Sequence, residues 1–147
     1  RRSSDLTIET HFRDRNIDAS HYDLIATGDL GHIGREVAFD LLKKHGTDIS
    51  EERFQDCGLM IYRENQPVLA GASGAGCSAV VTYGHLLNRM KKGELRRILV
   101  VPTGALLSPL TFQQGETIPL NMGVGAYDFF LGVCSWRNHL CDRSNHV

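Results

Sequence analysis

The chain has 147 residues, of which 41% are apolar, and this length and composition are sufficient for one globular domain with its own core. A formal net charge of −1 and a pI of about 6.7 argue against a nucleic-acid-binding protein, which usually has a basic surface. Four cysteines are too few for a disulfide-rich secreted scaffold, and the sequence has neither a signal peptide nor an apolar run long enough to span a membrane, so we expect a soluble intracellular protein.

The first part of the chain predicts a helix, a strand and a second helix. Residues 1–4 carry no pattern, whereas apolar residues spaced four apart among charged residues predict an amphipathic surface helix over residues 5–15. A short apolar run predicts a buried parallel strand at 23–27. A turn that contains two glycines follows, and the sequence then predicts a helix that ends at Lys44.

The middle of the chain predicts two more helices and two more strands. A helix start is predicted at Ser50, because two glutamates follow it, and a strand or loop-to-strand segment is predicted over residues 57–62. The small residues at 71–77 lead into a helix that ends at Lys92. A last apolar run predicts a strand at 98–101.

This alternation of helices and strands predicts an α/β protein with a mostly parallel sheet and helices layered on it. Such sheets bind ligands at the carboxyl ends of their strands, which are here residues 27–32 and 102–106. The first central helix is indicated by apolar residues at a spacing of four, Ile33, Val37 and Leu41. The second is expected to bury one long face, which consists of Val80, Val81, Gly84, Leu87 and Met90.

Residues 71–75 resemble the G-x-S-x-G turn that carries the nucleophilic serine of many hydrolases, with alanine in the last place. That chemistry needs an acidic residue and then a histidine after the serine, but here His85 precedes both Glu94 and Glu116. We therefore prefer tight packing or the close approach of a ligand as the reason for these glycines.

Three further residues are candidates for chemistry. Cys77 lies near the predicted helix start, which would lower the pKa of a nucleophilic thiol, but a small buried cysteine is the more frequent case and we prefer it. Asp29 and His32 follow a predicted strand, so they either point into a ligand cleft or only cap the turn and the next helix. The pattern leaves both interpretations open.

The cysteines and histidines near the end of the chain do not form a recognisable metal-binding pattern. Their spacing fits no compact zinc finger, so we predict no metal site among Cys134, His139, Cys141 and His146.

Three stretches closely resemble the C-terminal third of the stage V sporulation protein AD family of spore-forming bacteria. They are YDLIATGDLGHIG at 22–34, LAGASGAGCS at 69–78 and RILVVPTGALLS at 97–108. The resemblance covers residues 5–119 and implies the C-terminal half of a thiolase-like fold, here incomplete, with layers of helix, sheet and helix. It also implies a role in moving dipicolinic acid into the developing spore, because the family binds that ligand.

The same resemblance implies that this half has lost its catalytic groups. The thiolase pattern has a catalytic histidine three residues before Gly71, where this chain has Val68. The second catalytic cysteine corresponds to Pro102. We therefore predict no catalytic residue in this chain, and we keep an acyltransferase of the thiolase superfamily as the alternative function.

A ligand pocket is the remaining expectation for these residues. Dipicolinate is a small planar dianion, and the unpaired N–H groups at a helix start can bind anions. We hypothesise that Gly71, Ser73 and Gly74 line part of a dipicolinate pocket together with Asp29 and His32, with His32 as a hydrogen-bond donor. No cofactor is expected.

Partners and location follow from the resemblance alone. It implies other stage V sporulation membrane proteins as partners, a homodimer, and a peripheral position on the cytoplasmic side of the spore inner membrane. A third alternative is an interaction subunit that docks to these membrane proteins without binding the ligand.

Residues 120–147 depart from the family pattern and have neither helical nor strand periodicity. When suitable codons for the residues from Tyr127 onward are read one nucleotide later, they encode an apolar segment that begins with methionine. That segment looks like the start of the neighbouring sporulation membrane protein AE. We therefore predict that residues 120–147 are an out-of-frame tail without evolved structure, and that the chain is a fragment.

Overall fold

The computed structural model describes residues 4–63, 65–71, 73–74, 76–105, 113–114, 120–122, 124–130 and 133–139. Its helices are α1 (Ser4–Arg15), α2 (Gly31–Lys44), α3 (Cys57–Met60), α4 (Cys77–Val81) and α5 (Leu87–Lys91), with a 3₁₀ turn at Ala19–His21 and a π-helical turn at Thr82–Leu86. Its strands are β1 (Leu24–Thr27), β2 (Phe54–Asp56), β3 (Arg97–Val101), β4 (Thr103–Ala105), β5 (Leu120–Met122), β6 (Val124–Phe130) and β7 (Val133–His139).

Three parallel strands form the centre of the fold. Strand β1 pairs with β2 on one side and with β3 on the other. Thr27, the last residue of β1, is level with Asp56 of β2 and with Val101 of β3, so the carboxyl ends of all three strands lie at the same edge. Strands β6 and β7 continue the sheet in antiparallel fashion beyond β3, and β4 and β5 form a separate pair. The predicted α/β class and parallel sheet are confirmed.

The sheet separates two apolar cores, because successive residues of a strand point to opposite faces. On one face, Ile25 and Leu99 pack with residues of α1 and α2. On the other face, Ala26 and Val100 pack with residues of α3, α4 and α5. All four residues of β1 are buried, as expected for a parallel strand that is covered on both faces. The described residues therefore form layers of helix, sheet and helix.

Several predicted elements and helix ends are confirmed. The predicted helix at 5–15 is α1, and the predicted strands at 23–27 and 98–101 are β1 and β3. Gly46 follows α2 with a φ of 83°, and Gly93 follows α5 with a φ of 79°. Glycine adopts this left-handed conformation without strain, which is why it so often ends a helix.

The prediction for the segment from Ser50 to residue 62 is wrong. Residues 51–53 form a turn instead of the start of a helix, Phe54–Asp56 form β2, and Cys57–Met60 form α3 where a strand was predicted. The reason is tertiary packing. Phe54 is fully buried, and its ring stacks on that of Phe39 with the centroids 5.6 Å apart, so the buried strand begins at this residue.

The apolar stripe that indicates α2 in the sequence does not form its buried face. The side chains of Ile33 and Val37 are 72% and 52% exposed, whereas Phe39 and Leu42 are buried. Phe39 has to meet Phe54, and this contact turns the helix so that the stripe that contains Ile33 and Val37 faces outward.

The predicted face of the next helix is confirmed only in part. Val81 and Met90 are buried as predicted, but Val80 is 61% exposed and Leu86 enters the core instead of Gly84. The π-helical turn explains the change, because it adds one residue between α4 and α5. The buried residues are therefore spaced by four, five and four: Cys77, Val81, Leu86 and Met90.

Strands β5, β6 and β7 lie in the region for which the sequence predicts a tail without evolved structure. Strand pairing does not identify a reading frame, so the out-of-frame origin of this region stays a prediction. Residues 140–147 lie outside the described residues. Within the described ranges, no helix has both the length and the apolar character needed to cross a bilayer.

Candidate functional site

The candidate site lies at the carboxyl edge of the sheet, beside β1 and β3. The chain passes from β1 through α2 to β2 on one side, and then crosses to β3 on the other side of β1. Helix α2 packs on one face of the sheet, and α4 and α5 pack on the other. Such a reversal of strand order leaves a crevice beyond the strand ends, where open α/β sheets bind ligands. Leu106, at the end of the second predicted site segment, lies outside the described residues.

A buried carboxylate, Asp56, organises the turn after β1. It accepts hydrogen bonds from the Thr27 hydroxyl at 2.5 Å and from the backbone N–H groups of Leu30 and Gly31 at 2.9 and 3.0 Å. Asp56 is fully buried, so these donors replace the water that its carboxylate has lost. Sequence reasoning missed Asp56. The available signal in the sequence was an acidic residue two positions after an aromatic residue, Phe54.

A second carboxylate, Asp29, holds the glycine loop, by which we mean residues 70–71 and 73–74. The Ser73 N–H lies 3.1 Å from both carboxylate oxygens of Asp29, and the Gly74 N–H donates to Oδ2 at 2.6 Å. Hydrogen bonds to a charged acceptor are stronger than neutral ones. The two N–H groups that were expected to bind an anionic ligand are therefore engaged by the protein's own carboxylate.

Close backbone contacts bring the five predicted site residues together. The His32 N–H donates to the carbonyl oxygen of Ala70 at 2.8 Å. Gly71 has a φ of 79°, and a Cβ at this position would lie 2.5 Å from Leu59 Cδ2 and 3.7 Å from His32 Cδ2. Only glycine fits between these neighbours in this conformation. Asp29, His32, Gly71, Ser73 and Gly74 thus form one cluster, in which His32, Ser73 and Gly74 are exposed and Gly71 is buried.

Gly58 is equally constrained, and sequence reasoning missed it. A Cβ on Gly58 would lie 2.1 Å from Asp29 Oδ1 and 2.9 Å from Asp56 Oδ2. The residue must therefore be glycine for both carboxylates to keep their positions.

Two buried thiols lie behind this cluster, at Cys57 and Cys77. Burial raises the pKa of the Cys57 thiol to about 12, and the nearby Asp56 carboxylate adds to the effect. Burial also raises the pKa of Cys77, although a hydrogen bond with Ser73 opposes the change. A raised pKa keeps a thiol neutral and unreactive. This agrees with the preferred interpretation of Cys77 as a packing residue.

The structure also describes the two positions at which the resemblance implies lost thiolase groups. Val68 precedes the glycine loop, Pro102 follows β3, and both are half-buried. Neither side chain can donate or accept a proton, so neither can replace a catalytic histidine or cysteine.

The fold and the site define a layered α/β protein with a loop-lined cluster at the carboxyl ends of its central strands. The family model described as stage V sporulation protein AD (SpoVAD) matches residues 3–123. The chain belongs to the stage V sporulation protein AD family, which gives it a role in sporulation.

A curated relative agrees with this assignment. Stage V sporulation protein AD of Bacillus subtilis (strain 168) is 51% identical to the chain over 113 residues, which are 77% of this chain and 33% of that protein. The chain therefore spans about a third of the length of the curated relative that it matches.

Proposed function

We propose that the chain is part of a sporulation protein that binds dipicolinic acid at the cluster formed by the glycine loop, Asp29 and His32, and so takes part in its uptake into the developing spore. The observation that carries this proposal is the meeting of all five residues at the carboxyl edge of the sheet. The helix–sheet–helix layers also support our proposal that the fold is the C-terminal half of a thiolase-like protein.

The surface of the glycine loop suits a planar ligand. A Cβ added to Gly74 or Gly76 would meet no described atom within 4 Å, so the backbone there is open to solvent. An aromatic ring can lie flat on such a surface without clashing with side chains. Because Asp29 already engages the N–H groups of Ser73 and Gly74, we assign the ligand contacts to the Ser73 hydroxyl and the His32 ring. Asp29 is then a positioning residue.

The His32 ring offers the ligand a hydrogen-bond donor. Its side chain is exposed, and its backbone is fixed by the hydrogen bond to Ala70. An imidazole N–H can donate a hydrogen bond to a carboxylate, and dipicolinate has two carboxylates.

The test is the affinity for dipicolinate of the full-length protein that contains this chain, measured by isothermal titration calorimetry. We expect the double variant His32→Ala and Ser73→Ala to bind at least about tenfold more weakly, because each change removes one polar contact. The matched control is His85→Ala with Ser50→Ala, two exposed residues outside the cluster. Equal affinities for the two double variants would place the pocket elsewhere.

The interaction-subunit alternative also has an observation in its favour. Ile33 and Val37 expose an apolar stripe on α2, and Leu69 beside the glycine loop is fully exposed. Exposed apolar stripes are typical of surfaces that contact another chain. In this alternative, replacing Ile33 and Val37 by aspartate abolishes assembly with the stage V membrane proteins, and the wild-type protein shows no heat of dipicolinate binding.

The acyltransferase alternative has no such support among the described residues. Both described thiols are buried, and burial raises their pKa values. We therefore propose a protein without catalytic activity that acts through ligand binding. We place it on the cytoplasmic side of the spore inner membrane, and we propose other stage V membrane proteins and a second copy of itself as its partners.

A further inference from the structure

Three potential metal ligands meet where the first turns of α1 face the end of α2. Asp5 and Glu9 lie one helical turn apart on α1, and His45 is the residue that follows α2. One ligand atom from each side chain lies within 4.8 Å of the other two. The closest pair is His45 Nδ1 and Glu9 Oε1, which are 2.5 Å apart. None of these residues belongs to the glycine loop.

Asp5 provides an independent indication that a ligand is needed here. Its side chain is only 2% exposed, and its Oδ2 atom has no hydrogen-bond partner among the described residues. A buried carboxylate oxygen without a donor or a cation is strongly unfavourable. Glu9 brings a second carboxylate to the same place, and the only ring nitrogens among the three residues are those of His45, which already contacts Glu9. A divalent cation would neutralise both.

We propose that Asp5, Glu9 and His45 bind a divalent transition-metal ion of the zinc type. Carboxylate oxygens and imidazole nitrogens are both ligands of such ions, and water can take the remaining position. Donor atoms around a tetrahedral ion at 2.0–2.2 Å are about 3.4 Å apart. The widest pair therefore has to close by at most about 1.4 Å, and the Glu9 and His45 atoms, which are now 2.5 Å apart, have to separate by about 0.9 Å. Rotamer changes of Glu9 and His45, which are both partly exposed, can supply this movement.

The ion would join α1 to α2. Both helices pack on the same face of the sheet, where Ile8 of α1 and Leu42 of α2 are in one core. A cation held by residues from both helices would stabilise the folded state, because the unfolded chain does not bring the ligands together. This structural site is separate from the proposed ligand site.

The test is a calorimetric titration of the 147-residue chain, free of affinity tags, with Zn²⁺ in a non-chelating buffer. We expect one site, with at least about tenfold weaker binding for His45→Gln and for Asp5→Asn. His85→Gln is the matched control, because His85 is exposed and lies outside the cluster, and it should bind like the wild type. We also expect Zn²⁺ at about 100 times the wild-type Kd to raise the Tm of the wild type by about 10 °C and that of His45→Gln by no more than about 5 °C.

Two results would overturn the proposal. One is a Zn²⁺ affinity that is the same for the wild type and His45→Gln. This outcome stays informative if Asp5→Asn fails to fold, since His45 is at the surface end of the cluster. The other is a wild-type Tm that Zn²⁺ does not change, which would leave only an ion pair between Glu9 and His45 at this junction.

Discussion

Replacing Gly58 with alanine tests whether Asp29 holds the glycine loop. The new methyl group would lie 2.1 Å from Asp29 Oδ1, so the half-buried Asp29 side chain has to move. Its movement breaks the hydrogen bonds from the N–H groups of Ser73 and Gly74. A hydrogen bond to a charged group contributes about 1.5–3 kcal/mol when buried, which we reduce to about 1 kcal/mol each at this partly exposed site. Crowding of Asp56 adds about 1 kcal/mol, so we expect the free energy of unfolding to fall by about 3 kcal/mol.

Urea unfolding followed by circular dichroism measures this loss. With a slope of about 1.5 kcal/mol per molar urea, the midpoint should fall by about 2 M. The matched control is Gly76→Ala, whose Cβ would have no described neighbour within 4 Å and whose φ of −84° suits alanine. We expect this control to stay within about 0.5 kcal/mol of the wild type. If Gly58→Ala unfolds at the wild-type midpoint, and the amide proton shifts of Ser73 and Gly74 do not move, the role assigned to Asp29 is refuted.

The further predictions concern three buried or charged groups. Asp56→Asn should lower the free energy of unfolding by about 3 kcal/mol, because the new amide N–H groups would face groups that now donate hydrogen bonds to the Asp56 carboxylate. An unchanged urea midpoint would contradict this. The Cys57 thiol should resist alkylation in the folded chain at neutral pH, as followed by mass spectrometry, and rapid labelling would contradict its burial. Because the folded pKa of Cys57 is raised to about 12, its contribution to stability is complete below the unfolded thiol pKa and should be lost as the pH rises through about 12. Burial tends to raise the pKa of Asp23, but the backbone N–H groups of Arg97 and Arg96 outweigh burial and lower it. The contribution of Asp23 to stability is therefore present above the ordinary carboxyl pKa and is lost as the pH falls through the lowered pKa of the folded state. The stability of Asp23→Asn should therefore be less sensitive to acid than that of the wild type, and identical acid-unfolding curves would refute this.

The sequence was sufficient to predict the fold class and the edge of the sheet where the site lies. Strand β1 is a run of apolar residues bounded by turn residues, and α2 and α5 end at lysines, each with a glycine two residues later. These signals are local, since they depend on the propensity and spacing of neighbouring residues. The residues after β1 could therefore be assigned to the carboxyl edge without any knowledge of the packing.

The buried helix faces depart from the apolar spacing in the sequence because of contacts between distant residues. Phe39 and Phe54 are 15 positions apart in sequence, and their stacking decides both the orientation of α2 and the start of β2. The π-helical turn at Thr82–Leu86 likewise has no sequence signal in the spacing of apolar residues. Packing in the folded chain overrides periodicity at these places.

Five residues of the candidate cluster were named from the sequence, but Asp56, Gly58 and the contacts that join these residues were not. Asp29 and the glycine loop are more than 40 residues apart, so the hydrogen bonds between them are visible only in the folded chain. The same holds for Asp56 and for Gly58, whose missing side chain leaves room for two carboxylates. The predicted absence of a metal site rested on residues near the end of the chain, whereas the proposed zinc ligands combine α1 with the end of α2.

The most direct test of the proposed function is an amide NMR spectrum of the 147-residue chain, recorded with and without dipicolinate. We predict dispersed signals and ligand-dependent shifts confined to the turn that contains Asp29 and His32 and to the glycine loop around Ser73. A dispersed spectrum in which these signals do not move, or in which the shifts occur elsewhere, would contradict the proposal that this cluster binds dipicolinate.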